Sequence, residues 1–190
     1  MTFMLVVEAA TEKKHDDVIR EYTSAIGMPA TFLSAAMWRA VSFPTTEGMS
    51  RRAHNRRAAL HDENARAGHA GSLSEALDTA KFKQMNLNLS NPDGTYGGKR
   101  MLSQSSVDLI FTNFNAWFAD GSAHGVGFEL NQSYTAGPMA NLLAASHTRI
   151  AGTSLVVDRS SGTVFVHLAN RVHPSRNWSR NNVARETLGA

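Results

Sequence analysis

The chain has 190 residues, 42% hydrophobic and 18% charged, with a net charge of +3 and no cysteine. That length and balance fit one globular domain with its own core and exclude a disordered chain. No apolar run is long enough to span a membrane, and the lack of cysteine excludes thiolate catalysis, disulfides and cysteine-bound metals.

The first ten residues include FMLVV, but no basic stretch precedes it and the apolar run is short. It does not read as a signal peptide, and a cytoplasmic location is expected. In HDDVIREYTSAIGM, Val18, Ile19, Tyr22, Ala25 and Ile26 share one helical face. Asp16 and Asp17 suit the start of that helix, Gly27 its end, and Pro29 follows. From about residue 31 to 71 no period holds, so an irregular excursion is expected there. It contains the basic run RRAHNRR. With no nucleic-acid motif beside it, this run and the basic tail read as solvated segments, and nucleic acid is not an expected partner.

SLSEALDTAKFKQMNL reads as a helix with Ser72 or Ser74 as its cap. NPDGTYGGKRM reads as a turn and a short extended piece. SQSSVDLIFTNFNAWF is expected to be an amphipathic helix that buries Val107, Ile110, Phe111, Phe114, Trp117 and Phe118. The last third is strand-like. GVGFELN is short and Gly-rich, and GTSLVVD and TVFVHLAN form a hairpin through RSSG. In the second arm Val164, Val166 and Leu168 alternate with Phe165, His167 and Ala169, so both faces of this strand should be covered. A short helix closes the chain. Helices first, then an antiparallel sheet, indicate an α/β fold of the α+β sandwich kind.

LHDENARAGHAG concentrates His61, Asp62, Glu63, Asn64 and His69. The spacing matches no zinc-ligand pattern, so no metal is expected. Neither G-x-S-x-G nor S-x-x-K occurs anywhere, and G-x-G-x-x-G and the P-loop are absent too. No cofactor is expected.

The segment HTRIAGTSLVVDRSSGTVFVHLANRVHPSR resembles the HTG-x-x-GTSLVVDP…F-V-x-L-x-NRVHP stretch of β-lactamase-related serine hydrolases, the class C β-lactamase and penicillin-binding-protein-like esterases. Upstream, LHDENARAGHAGSLSEALDTAKFKQMNLN…YGGKRMLS is similar to that family's HDENA…GHAGLFSTA-x-DLA-x-F-x-QM…YGG-x-R-x-LS. GVGFELNQ and the N-terminal helical stretch fit in the same order. The resemblance implies the C-terminal portion alone of a β-lactamase/transpeptidase-like fold, an antiparallel sheet flanked by helices. Residues 1–190 would form one partial domain, with the sheet-forming part at about 125–171.

It also implies serine hydrolysis of an ester, amide or β-lactam through an acyl-enzyme. His147 and Thr148 would be the remnant of the family's K/H-T-G motif, and Arg149, Gly152 and Asn64 would line the substrate site. Arg149 stands where the family has glycine, and Ser146 where a glycine precedes the histidine. An arginine there should crowd the cleft beside the strand. Without S-x-x-K or the family's tyrosine motif, the chain is expected to be inactive alone, or to serve as a non-catalytic binding module. Expected partners are a small ester or β-lactam-like ligand, a missing N-terminal segment, or a second copy of the chain.

Overall fold

The computed structural model describes residues 2–31, 74–87, 95–96, 99–118, 121–149, 152–171, 177 and 180–188. Helix α1 (Thr2–Thr11) leads to α2 (His15–Ala25), followed by α3 (Ala76–Leu87). A two-stranded hairpin, β1 (Thr95–Tyr96) with β2 (Lys99–Arg100), precedes α4 (Gln104–Phe111). Then come β3 (His124–Gly125), β4 (Phe128–Leu130), the short α5 (Ser133–Ala136), β5 (Ala144–Thr148), β6 (Gly152–Asp158), β7 (Thr163–Asn170) and α6 (Asn181–Leu188). The expected excursion at about 31–71 lies almost wholly outside the described residues.

Local chemistry accounts for the helix ends. Asp16 and Asp17 occupy the first turn of α2. At its C-terminus the Met28 N–H donates to the Thr23 carbonyl at 2.9 Å and the Gly27 N–H to Ser24 at 3.2 Å, with Gly27 at φ +69°. This is a Schellman turn, which glycine enters without a Cβ penalty. In α4 the Ser103 hydroxyl accepts from the Ser106 N–H at 3.1 Å and caps the helix.

Strands β3 to β7 form one antiparallel meander in sequence order, with β5 in the middle. Side chains alternate across it. Leu130 and Ala145, paired across β4 and β5, bury against Ile110 of α4. Lys83 of α3 reaches Phe128 on that same face. The opposite face carries Glu129, where Tyr134 of α5 donates its hydroxyl to the Glu129 carboxylate. Helices thus cover both faces, and Val156 and Val157 of β6 are buried at the centre.

The N-terminal helices belong to the same fold. Ile26, Met28 and Met85 form a buried cluster with Tyr22 and Phe82 packed on it, so α2 and α3 share a core. Asp78 of α3, fully buried, accepts from the Ala30 N–H at 2.8 Å, the Thr31 hydroxyl at 3.0 Å and Lys81 Nζ at 3.1 Å.

Two local expectations fail. Helix α4 stops at Phe111, and Trp117 is 92% exposed, with Phe114 and Phe118 also exposed. Asn113 explains the stop: its Oδ1 accepts from the Asn115 N–H at 2.9 Å and the His124 N–H at 3.2 Å, a side-chain alternative to helical bonding. Strand β7 is not covered on both faces. It pairs with β6 alone among the described residues, its apolar residues are half-buried, and Leu168 is exposed.

Candidate active site

His147 and Thr148 end β5, and strand alternation sends them to opposite faces. His147 is exposed at its outer edge, while its ring meets Phe128 of β4 edge-on, with centroids 6.4 Å apart and planes at 83°. Beneath Phe128 lies Lys83, only 1% exposed, with Nζ 3.6 Å from the Phe128 centroid and 5.1 Å from that of Phe82. The ammonium therefore sits against two ring faces, a cation–π arrangement. Burial pushes the Lys83 pKa down to about 7. Removal of water, then the Lys83 charge, lowers the His147 pKa below its ordinary value; Arg149 adds to this and Glu129 opposes it.

Thr148 points the other way. It pairs in register with Ser154 of β6 and lies on the face of the sheet that carries Glu129 and its Tyr134 partner. Glu129, which receives the Tyr134 hydroxyl, lies opposite both His124 and Ser146 in the sheet. His124 Nε2 is 4.0 Å from Glu129 Oε1. Burial, followed by the Glu129 hydrogen bond and charge, raises the Tyr134 pKa. The strand motif is thus backed by an ammonium–aromatic stack on one face and a tyrosine–carboxylate pair on the other.

The turn after the motif is held from α6. The Arg149 N–H donates to the Thr153 carbonyl and the Gly152 N–H to the Arg149 carbonyl, both at 2.9 Å. Arg185, 5% exposed, places Nη2 3.0 Å from the Gly152 carbonyl, 3.1 Å from that of Thr153 and 3.4 Å from that of Arg149. Gly152 has φ +101°, and a Cβ there would fall 2.6 Å from Asn181 Oδ1.

Of the sequence-derived site residues, His147, Thr148 and Arg149 adjoin one another at the end of β5, with Arg149 exposed. Gly152 is buried under α6, its carbonyl already engaged by Asn181 and Arg185. Asn64, with His61, Asp62 and His69, lies outside the described residues. No group of three or more metal-ligating side chains is present among the described residues.

Sequence reasoning missed Lys83, Glu129, Tyr134 and Arg185. One signal existed for Lys83. No acidic residue stands three or four positions from it, so the helix itself offers no salt-bridge partner.

No curated protein matches the chain significantly. Among solved structures it is similar to EstCE1, a hydrolase with promiscuous acyltransferase activity, with TM-score 0.64 and 13% identity over 95% of this chain and 51% of that one. It is also similar to a penicillin-binding-protein homologue from Caulobacter crescentus, with TM-score 0.58 and 12% identity over 88% of this chain and 49% of that one. A candidate β-lactamase from Bacteroides dorei gives TM-score 0.52 and 14% identity over 97% of this chain and 55% of that one. The chain spans about half the length of these structures.

The sequence model of the β-lactamase family matches residues 2–189. This corrects the expectation of a C-terminal portion alone. The match begins in α1 and ends just past α6, and the fold likeness likewise takes in nearly all of the chain. The shared core of α2 and α3 is the physical reason: the N-terminal helices are built into the fold. With its pattern running from first helix to last, the chain belongs to the β-lactamase family.

Proposed function

We propose that these residues contribute the H-T strand of an acyl-transfer site for a small ester, amide or β-lactam, and that they do not hydrolyse such a substrate unaided. One observation carries the reading: His147 lies exposed at the end of the central strand, with Thr148 next to it on the opposite face of the sheet. In this role His147 and Thr148 are the site residues on the strand, and the neighbouring backbone positions substrate along it. Family membership supports the substrate class, and the relatives' described hydrolase and acyltransferase activity supports the chemistry.

The second half of the proposal rests on sequence. Acyl-enzyme chemistry needs a nucleophile activated by an adjacent base, and S-x-x-K does not occur in the 190 residues. The serine–lysine pair would have to come from another segment or another chain. An alternative, a binding module without turnover, draws on Arg149, whose exposed position at the end of β5 suits capture of a ligand carboxylate. Two assays test these readings: intact mass after incubation with a fluorescent penicillin, and nitrophenyl-ester turnover. Neither adduct nor turnover is expected from the unaided chain. Saturable, penicillin-dependent shifts of the His147 and Thr148 NMR signals are expected in either case, and their absence would remove the site assignment.

A further inference from the structure

Lys83 is the largest of the fully buried side chains among the described residues, and nothing in the hydrolytic reading uses it. Its ammonium lies over the Phe128 ring, and the His147 ring packs nearly perpendicular to that same aromatic group. Phe128 is the shared contact of the two groups, which places Nζ within about 10 Å of the imidazole centroid. Among the described residues Lys83 makes no ion pair.

From this geometry we infer that Lys83 is a positioning residue for His147: its buried charge disfavours the imidazolium and keeps His147 as a neutral imidazole. A neutral ring retains one acceptor nitrogen, whereas the imidazolium has donors only. A histidine that is to take a proton, or accept a hydrogen bond from a ligand, needs that acceptor. The inference takes His147 as the functional group of the site proposed above.

The other charges around His147 do not replace this role. Glu129 of β4 favours the protonated ring but is already engaged by Tyr134 on the opposite face of the sheet. Arg149, on the same strand, acts in the same direction as Lys83 but is exposed to solvent, which screens it. The β6 residue paired with His147 is Leu155, which has no charge. Lys83 alone among these groups combines burial with a direct contact on the ring that His147 touches.

The order of protonation follows. Below neutral pH Lys83 takes its proton first, and His147 must then ionise against an existing positive charge. NMR titration of the Lys83 side-chain and His147 ring signals in the unmodified chain tests this directly: the lysine should titrate at the higher pH. Lys83→Met, which keeps an unbranched apolar side chain against Phe82 and Phe128, should raise the His147 midpoint by about 0.5–1 unit, the size expected for a charge at this range in protein. Lys83→Arg should hold it at or below the unmodified value. A His147 that protonates before Lys83, or a midpoint that does not rise in Lys83→Met, overturns the inference. If Lys83→Met fails to fold, the order measured in the unmodified chain decides. Neither readout needs substrate, so failure of the acyl-transfer reading would leave both unchanged.

Discussion

Asn181 donates its side-chain amide to the Gly152 carbonyl at 3.1 Å, and the Asn181 Oδ1 stands 2.6 Å from the place a Cβ on residue 152 would take. The last helix and the turn after the H-T strand are thereby fitted to each other with no room for a side chain at residue 152. Positive φ and a close polar neighbour both demand glycine. Gly152→Ala should cost about 1–3 kcal/mol, from strain plus displacement of Asn181. Chemical denaturation of the two proteins measures it, and an unchanged midpoint would contradict the fit.

Arg185 gives a second test of the same clamp. Its guanidinium donates to three carbonyls that each accept from one other donor as well, so Arg185→Met removes three charge-assisted hydrogen bonds while keeping much of the packing. A loss of about 2–4 kcal/mol is expected. Faster amide exchange at Gly152 and Thr153, beyond that of β7, should accompany it.

Lys83 makes a prediction of opposite sign. A lysine whose pKa falls from about 10.4 unfolded to about 7 folded binds fewer protons in the native state. Between those values the unfolded chain holds the extra proton, so stability rises with pH through this window, and the full penalty is present below about pH 7. Lys83→Met should therefore stabilise the protein at pH 6.5, by a few kcal/mol, and much less at pH 10. Thermal melts at the two pH values decide it; equal effects at both would refute the desolvation argument.

Asp158 should control part of the acid response. Burial opposes its charge, but the Ser161 and Ser160 hydroxyls, the Ser160 N–H and the Asn141 amide hold its pKa below the ordinary value. A depressed folded pKa contributes stability above the unfolded value of about 3.9, and that contribution disappears as pH falls through the folded pKa. Asp158→Asn should be less stable at pH 6 and should show a shallower loss below about pH 4. Identical acid profiles would exclude Asp158 as a contributor.

The parts of the fold that were legible in the sequence are those governed by local rules. Gly27 ends α2 where its dihedral freedom predicts, and RSSG turns β6 into β7. The H-T strand was not legible from local pattern: His147 and Thr148 entered through the family resemblance, and they end β5, separate from the GTSLVVD strand that follows. Helix α4 was overextended because the spacing of Phe114, Trp117 and Phe118 outweighed one Asn113, whose bonds to Asn115 and His124 depend on where β3 lies. The polar neighbours of His147 were hidden for a related reason. Lys83 and Phe128 are 45 positions apart in the sequence and meet only once α3 packs on the sheet. No pattern on either segment announces the other.

The proposed function requires that these residues supply a strand of the site but no nucleophile. Intact-mass spectrometry of the purified chain after incubation with a fluorescent penicillin and, separately, a fluorophosphonate measures this most directly. The expected result is an unmodified mass with both reagents, in the native chain and in Arg149→Gly alike. One stoichiometric adduct, mapped to a single serine and lost when that serine becomes alanine, would contradict it.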